Sequence, residues 1–151
     1  LLVAEHGTGS ILKVSTDGDR EVLVDELPGI AALRQGSDDD SFYATDVLNG
    51  QVLEIDDGDI DIIATGLDRP EGFDVAADGS IVLAEVGKQR IVRIDPNSGE
   101  ISEVARNLAI GLAPAQGTPP GYIQTGVVVS SAGNIYVTSD LNTAIYKITP
   151  Q

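Results

Sequence analysis

The sequence predicts an all-β fold: a β-propeller of about three and a half four-stranded blades out of a six-bladed ring. Two observations predict it. Four segments, residues 1–15, 41–56, 80–95 and 134–149, repeat one pattern: a β-branched strand, a small or acidic residue, a polar turn and a second strand. Aligning Ile11, Val52, Ile91 and Ile145 gives register spacings of 41, 39 and 54 residues and places Glu5, Asp46, Glu85 and Ser139 at one equivalent position. A period near 40 residues made of four short strands is the signature of propeller blades. The second observation is composition. The hydrophobic fraction of 42% is mostly Val, Ile, Leu and Ala, with four Tyr, two Phe and no Trp, which suits packing between pleated sheets.

The third blade (69–108) is the clearest copy. Residues 72–76 form its first strand, Asp78-Gly79 a turn, 81–85 the second strand, 90–94 the third, Asn97-Ser98-Gly99 another turn and 101–106 the fourth. Asp-Gly suits a tight hairpin because glycine accepts the positive φ that matches strand twist. The second blade (28–68) repeats this with strands at 42–45, 51–55 and 60–64 and the turn Asp57-Gly58, while Asp38-Asp39-Asp40 reads as a solvated turn. The first blade (1–27) lacks its first strand and opens at 1–4, followed by 10–14 and 21–24. The fourth (123–151) lacks its last, with strands at 126–129, 135–138 and 144–148. Fourteen strands in a 3, 4, 4, 3 pattern leave two open edges, so further blades or another chain are expected to complete the ring. The chain does not begin with Met, and a removed leader or more is expected ahead of it.

Composition narrows the partners. Twenty-four acidic against nine basic residues give a net charge of −15, which disfavours nucleic acid and anionic membrane surfaces. Without cysteine there is no disulfide framework and no thiolate chemistry. Acidic composition and absent cysteine fit a secreted or periplasmic bacterial protein. No phosphate-binding Gly-rich loop with Lys-Ser/Thr, no Gly-x-Ser-x-Gly elbow and no His-Glu-x-x-His motif is present.

One connection departs from the repeat. The loop at 109–122 carries Pro114, Pro119-Pro120 and glycines 111, 117 and 121, too long for an ordinary link between blades. Loops of this kind form pocket walls or plain surface excursions.

At Arg69-Pro70-Glu71-Gly72, then Asp78-Gly79, Glu85 and Arg90-Ile91, the chain resembles the NHL-repeat and SMP-30/gluconolactonase-like six-bladed propellers. Asn49 and Asn142 sit where NHL repeats commonly carry Asn. The run Leu108-Ala109-Ile110-Gly111-Leu112 is similar to uncharacterised bacterial members, including those named for scytonemin-biosynthesis clusters. The resemblance implies a scaffold that hosts lactonases, lyases, sensors and protein-binding modules. It also implies that Glu71, beside a glycine where the chain enters a first strand, is a candidate ligand for an axial Ca²⁺ or Mg²⁺. The matching positions are Thr125 with Gln124 in the fourth blade and Pro28-Gly29-Ile30 in the second, which has no carboxylate.

Three further readings come from the residues themselves. Glu5, Asp46 and Glu85, with Asp140 beside Ser139, lie where second strands leave for the next turn. Oxygen ligands from neighbouring blades suit Ca²⁺ or Mg²⁺, while a repeated acid equally serves its own turn as a hydrogen-bond acceptor. His6 is the sole histidine and a candidate general base in the turn His6-Gly7-Thr8-Gly9. Glu71, Tyr122, Gln124 and Thr125 would line a binding face. The expected function is a module that binds a small molecule or a protein at the channel mouth. The alternative is a divalent-metal-dependent, lactonase-like hydrolase or lyase sited at the channel.

Overall fold

The computed structural model describes residues 1–36, 41–113, 116–117 and 124–149. The expectations about Asp38-Asp39-Asp40, about Pro114, Pro119-Pro120 and Gly121, and about Tyr122 fall outside the described residues.

Fourteen strands fall into four antiparallel sheets among the described residues, and no α-helix occurs there. The first sheet holds β1 (Leu2–Glu5), β2 (Ser10–Val14) and β3 (Arg20–Val24). The second holds β4 (Ile30–Gln35), β5 (Ser41–Asp46), β6 (Gln51–Asp56) and β7 (Asp59–Ala64). The third holds β8 (Pro70–Val75), β9 (Ile81–Glu85), β10 (Arg90–Ile94) and β11 (Ile101–Ala105). The fourth holds β12 (Val127–Val129), β13 (Ile135–Ser139) and β14 (Ala144–Ile148). In every sheet the strands lie in chain order, so each is a meander of hairpins.

Local chemistry sets the hairpins. Asp57 and Gly58 both take positive φ, 46° and 90°, the pair of left-handed residues that a two-residue turn needs to follow strand twist. The Asp78 carboxylate closes its turn by accepting the Ser80 amide at 3.1 Å and the Ser80 hydroxyl at 2.6 Å. A bulge recurs at Ile11/Leu12, Val52/Leu53 and Ile91/Val92, one equivalent position in three sheets, where the outermost strand joins its neighbour. Bulges of this kind increase strand twist.

The sheets pack face to face. Because side chains alternate across a strand, Ile81 and Leu83 of β9 pack with Tyr43, Val52 and Phe73 between the second and third sheets. Val82 and Ala84 of the same strand meet Ile91, Val127, Ile135 and Val137 between the third and fourth. A separate cluster of Ile11, Ile30, Phe42, Ala44, Leu53 and Ile55 joins the first and second. All five residues of β9 are buried, because a sheet lies on each side. Each fully buried Leu, Ile or Phe stabilises this stack by about 1.5–3 kcal/mol relative to exposure.

Candidate functional site

The innermost strands β4, β8 and β12 all start at the same end of the stack, the end where β1 turns into β2. Glu71 stands there on a bulge. Pro70 pairs with Glu85 and Phe73 with Leu83, so two residues of β8 face a single residue of β9. The bulge re-aims the Glu71 side chain out of the ladder, and Oε2 accepts the Thr125 amide of the fourth sheet at 2.7 Å. The next residue returns the bond, with the Gly72 N–H donating to the Thr125 carbonyl at 3.0 Å. A Cβ at Gly72 would stand 2.2 Å from that carbonyl oxygen, so only glycine permits the approach.

Glu71 is 4% exposed. Burial pushes its pKa above the ordinary 4.5 and the Asp140 charge adds to the rise, while the Thr125 amide and hydroxyl and the Arg69 charge work against it. Thr125 is wholly buried, and its hydroxyl, beside this carboxyl, completes no hydrogen bond of regular geometry among the described residues. Gln124 is exposed and crosses over the third sheet, with Nε2 donating to the Ala31 carbonyl of the second at 2.8 Å. His6 is half-buried, and its Nδ1 lies 2.8 Å from the Ile30 carbonyl. A carbonyl only accepts, so the Nδ1–H tautomer makes this bond and leaves Nε2 as an acceptor. His6 and Gln124 therefore meet on the backbone of Ile30 and Ala31, while Glu71 bonds Thr125, the residue after Gln124.

Register also corrects one expectation. Ile30 pairs with Asp46 as Pro70 pairs with Glu85, so the second-sheet counterpart of Glu71 is Ala31 rather than a residue within Pro28-Gly29-Ile30. The bulge in β4 between Ile30 and Ala32 is what moves it.

The repeated acids bond within turns and to connections. Glu5 accepts the Thr8 hydroxyl at 3.0 Å. Asp46 accepts the amides of Leu48 and Asn49 at 3.0 Å each and the Asn49 side chain at 2.7 Å. Glu85 is fully buried and takes the Asp68 amide at 2.9 Å, Lys88 at 2.6 Å and Arg90 at 2.5 Å. Burial alone would raise its pKa, yet Lys88, the Asp68 amide and Arg90 together hold it below 4.5. Ser139, at the same register, donates to the Ala109 carbonyl, and Asp140 accepts the amides of Gly111 at 2.9 Å and Leu112 at 2.6 Å. These bonds tie the intersheet connections to the ends of second strands.

Among the described residues no group of three or more His, Asp or Glu could hold a metal ion. Calcium takes about six to eight oxygens, and the described donors near Glu71 do not make such a set.

Two features escaped sequence reading. The span from Gln124 to Ala31 joins residues 93 apart in the chain. At the far end of the same strands, Asp74 of β8 accepts the Val129 amide of β12 at 2.7 Å and pairs with Arg34 of β4 at 3.5 Å. Repeats align strands but carry no sign of such contacts between sheets. At that far end, between the second and third sheets, a cleft of about 590 Å³ is lined by Tyr43, Glu54, Asp78, Arg93 and Asn97. Its Arg93 is bonded to Asp78 at 3.0 Å and to Ser80.

Comparison with solved structures decides the architecture. Virginiamycin B lyase from Staphylococcus aureus, in its selenomethionine form, superposes with a TM-score of 0.72 at 22% identity, over 98% of this chain and 48% of that one. The chain has a β-propeller fold. The four sheets are its blades, and the site lies where three innermost strands enter. A chain of a nidogen–laminin complex is similar over 91% of this chain and 52% of its own, with TM-score 0.67 and 19% identity. Regucalcin from Agrobacterium tumefaciens, described as a calcium-binding protein, matches 98% of this chain and 56% of its own, with TM-score 0.64 and 13% identity. This propeller chain spans about half the length of the first solved structures it matches. No family model and no curated protein sequence matches it.

Proposed function

We propose that this propeller is a binding module whose entry face, around Glu71, Gln124 and Thr125, holds a small molecule or a protein segment. The observation that carries this reading is the buried Thr125–Glu71 pair, whose hydroxyl lowers the pKa of the Glu71 carboxyl beside it yet completes no hydrogen bond of regular geometry among the described residues. Buried polar groups are normally paired, so a ligand group reaching this pair would complete it. Tyr122 belongs to the same face by sequence. The motif Arg69-Pro70-Glu71-Gly72 supports kinship with the NHL-repeat and SMP-30/gluconolactonase-like propellers, among them the scytonemin-cluster members. The fold is shared with a lyase, a calcium-binding protein and a chain of a protein complex, so it accommodates binding with or without chemistry.

The alternative is a divalent-metal-dependent hydrolase or lyase, with Ca²⁺ or Mg²⁺ at the channel and His6 as base. It requires metal ligands beyond Glu71. Native mass spectrometry with and without Ca²⁺, followed by a lactone-hydrolysis panel on wild type and Glu71→Gln, separates the two. A binding module shows no metal-dependent turnover, and Glu71→Gln leaves its affinity for an organic ligand mostly intact. Stoichiometric metal with turnover that Glu71→Gln abolishes would establish the enzyme.

A further inference from the structure

The rim of the second blade breaks a charge pattern that its neighbours keep. At one register of the repeat, β2 and β3 oppose Lys13 to Glu21, and β10 and β11 oppose Arg93 to Ser102. At the same register β6 and β7 oppose Glu54 to Asp61, and the next pair on that face is Asp56 opposite Asp59. Like charges directly across a ladder destabilise it. Among the described residues none of these four acids forms an ion pair. Lys13 shares a cleft of about 440 Å³ with Asp56 and Asp57 and pairs with neither.

The other face of β7 is apolar and uncovered. Ile60 and Ile62 stand across from Ile55 and Leu53, and they are 41% and 57% exposed although those partners are buried. At the register of Ile62 the third blade carries Glu103, which Arg90 and Arg106 hold in ion pairs at 3.4 Å each. β7 is also the outermost strand of its sheet, so the N–H and C=O groups along its outer side lie outside the ladder.

We infer that β7 is a docking edge for an extended segment of a partner protein in which Lys or Arg alternates with Val or Ile. Added as a fifth strand, the segment sets its basic side chains beside Asp59 and Asp61 and its apolar ones beside Ile60 and Ile62. Backbone bonds along the outer side of β7 hold it, and its cations relieve the two acid–acid pairs. A second copy of this chain fits less well. Pairing β7 with β7 adds acids to a face that already opposes acid to acid, between chains that each carry a net charge of −15. This edge lies on the rim, apart from the entry face around Glu71.

The test titrates the chain with a capped peptide of about six residues, a typical strand length, that alternates lysine with valine. Calorimetry is expected to give a dissociation constant below about 1 mM, and amide exchange should slow in β7 but not in β3 or β11. A peptide of the same composition, with its lysines and valines in two blocks, has the same charge without the alternation. It should bind at least about threefold more weakly, as should the alternating peptide to Asp61→Lys or Ile62→Thr, the scale of one cross-strand pair. No binding, equal binding of the two peptides, or protection that falls outside β7 overturns the inference. So does self-association of the free chain that Ile62→Thr abolishes, which would assign the edge to a second copy.

Discussion

Glu71 and Thr125 hold the innermost strands of the third and fourth blades together from both sides: the carboxylate takes the Thr125 amide at 2.7 Å, and the neighbouring Gly72 amide takes the Thr125 carbonyl at 3.0 Å. Neither bond belongs to a ladder within a sheet. The contact is a tie between blades made by a residue whose charge is disfavoured where it sits.

That tension gives a pH dependence. The pKa of Glu71 in the folded state lies above 4.5, so the folded form takes up the proton first. Its contribution is unfavourable at neutral pH and improves as pH falls toward 4.5. Glu71→Gln keeps an acceptor for the Thr125 amide and removes the charge. Thermal denaturation should show Glu71→Gln above wild type at pH 7, with the difference shrinking at pH 5. Glu71→Ala should instead lose about 1–3 kcal/mol, because it strands a buried amide.

Glu85 runs the other way. Its folded pKa is below 4.5, so its stabilisation is complete above that value and is lost as pH falls through the depressed pKa. Glu85→Ala leaves the Asp68 amide, Lys88 and Arg90 without their shared acceptor and should cost about 2 kcal/mol or more. Urea unfolding at pH 7 measures this, and at pH 3 the gap to wild type should narrow.

Gly72→Ala places a methyl group 2.2 Å from a backbone oxygen that cannot rotate away. We expect a loss of about 1–3 kcal/mol. Exchange of the Thr125 amide should rise with it, since the two strands must separate.

Thr125→Val removes a buried hydroxyl that, among the described residues, makes no hydrogen bond of regular geometry and only approaches the Glu71 carboxyl. Stability should hold or rise by up to about 1 kcal/mol. A ligand that uses the hydroxyl would bind at least about tenfold more weakly, and calorimetry of wild type and variant compares the two.

The strands and their repeat were legible because alternation and Asp-Gly turns are local. Residues 10–14, 81–85, 90–94 and 144–148 match β2, β9, β10 and β14, and the other expected strands differ by a residue or two at one end or both, as strand ends fray. The site was legible only in part. Glu71, Gln124 and Thr125 stand together because they occupy neighbouring starts of innermost strands, which the repeat located. The bulge that makes Ala31 the partner of Glu71 in register was not legible, since one extra residue leaves no mark in an apolar run. Nor was the bonding of Glu85, whose partners Asp68 and Arg90 come from opposite sides of its strand in sequence.

The apolar interior is divided into three clusters among the described residues, one for each junction between blades. Cooperativity is then handed from neighbour to neighbour, as along a row rather than around a centre. Injury to one junction stays with the two blades that share it, and distant substitutions add without interaction. A chain built so can drift at one seam while the others hold their shape, which leaves the entry face free to change its chemistry one strand at a time.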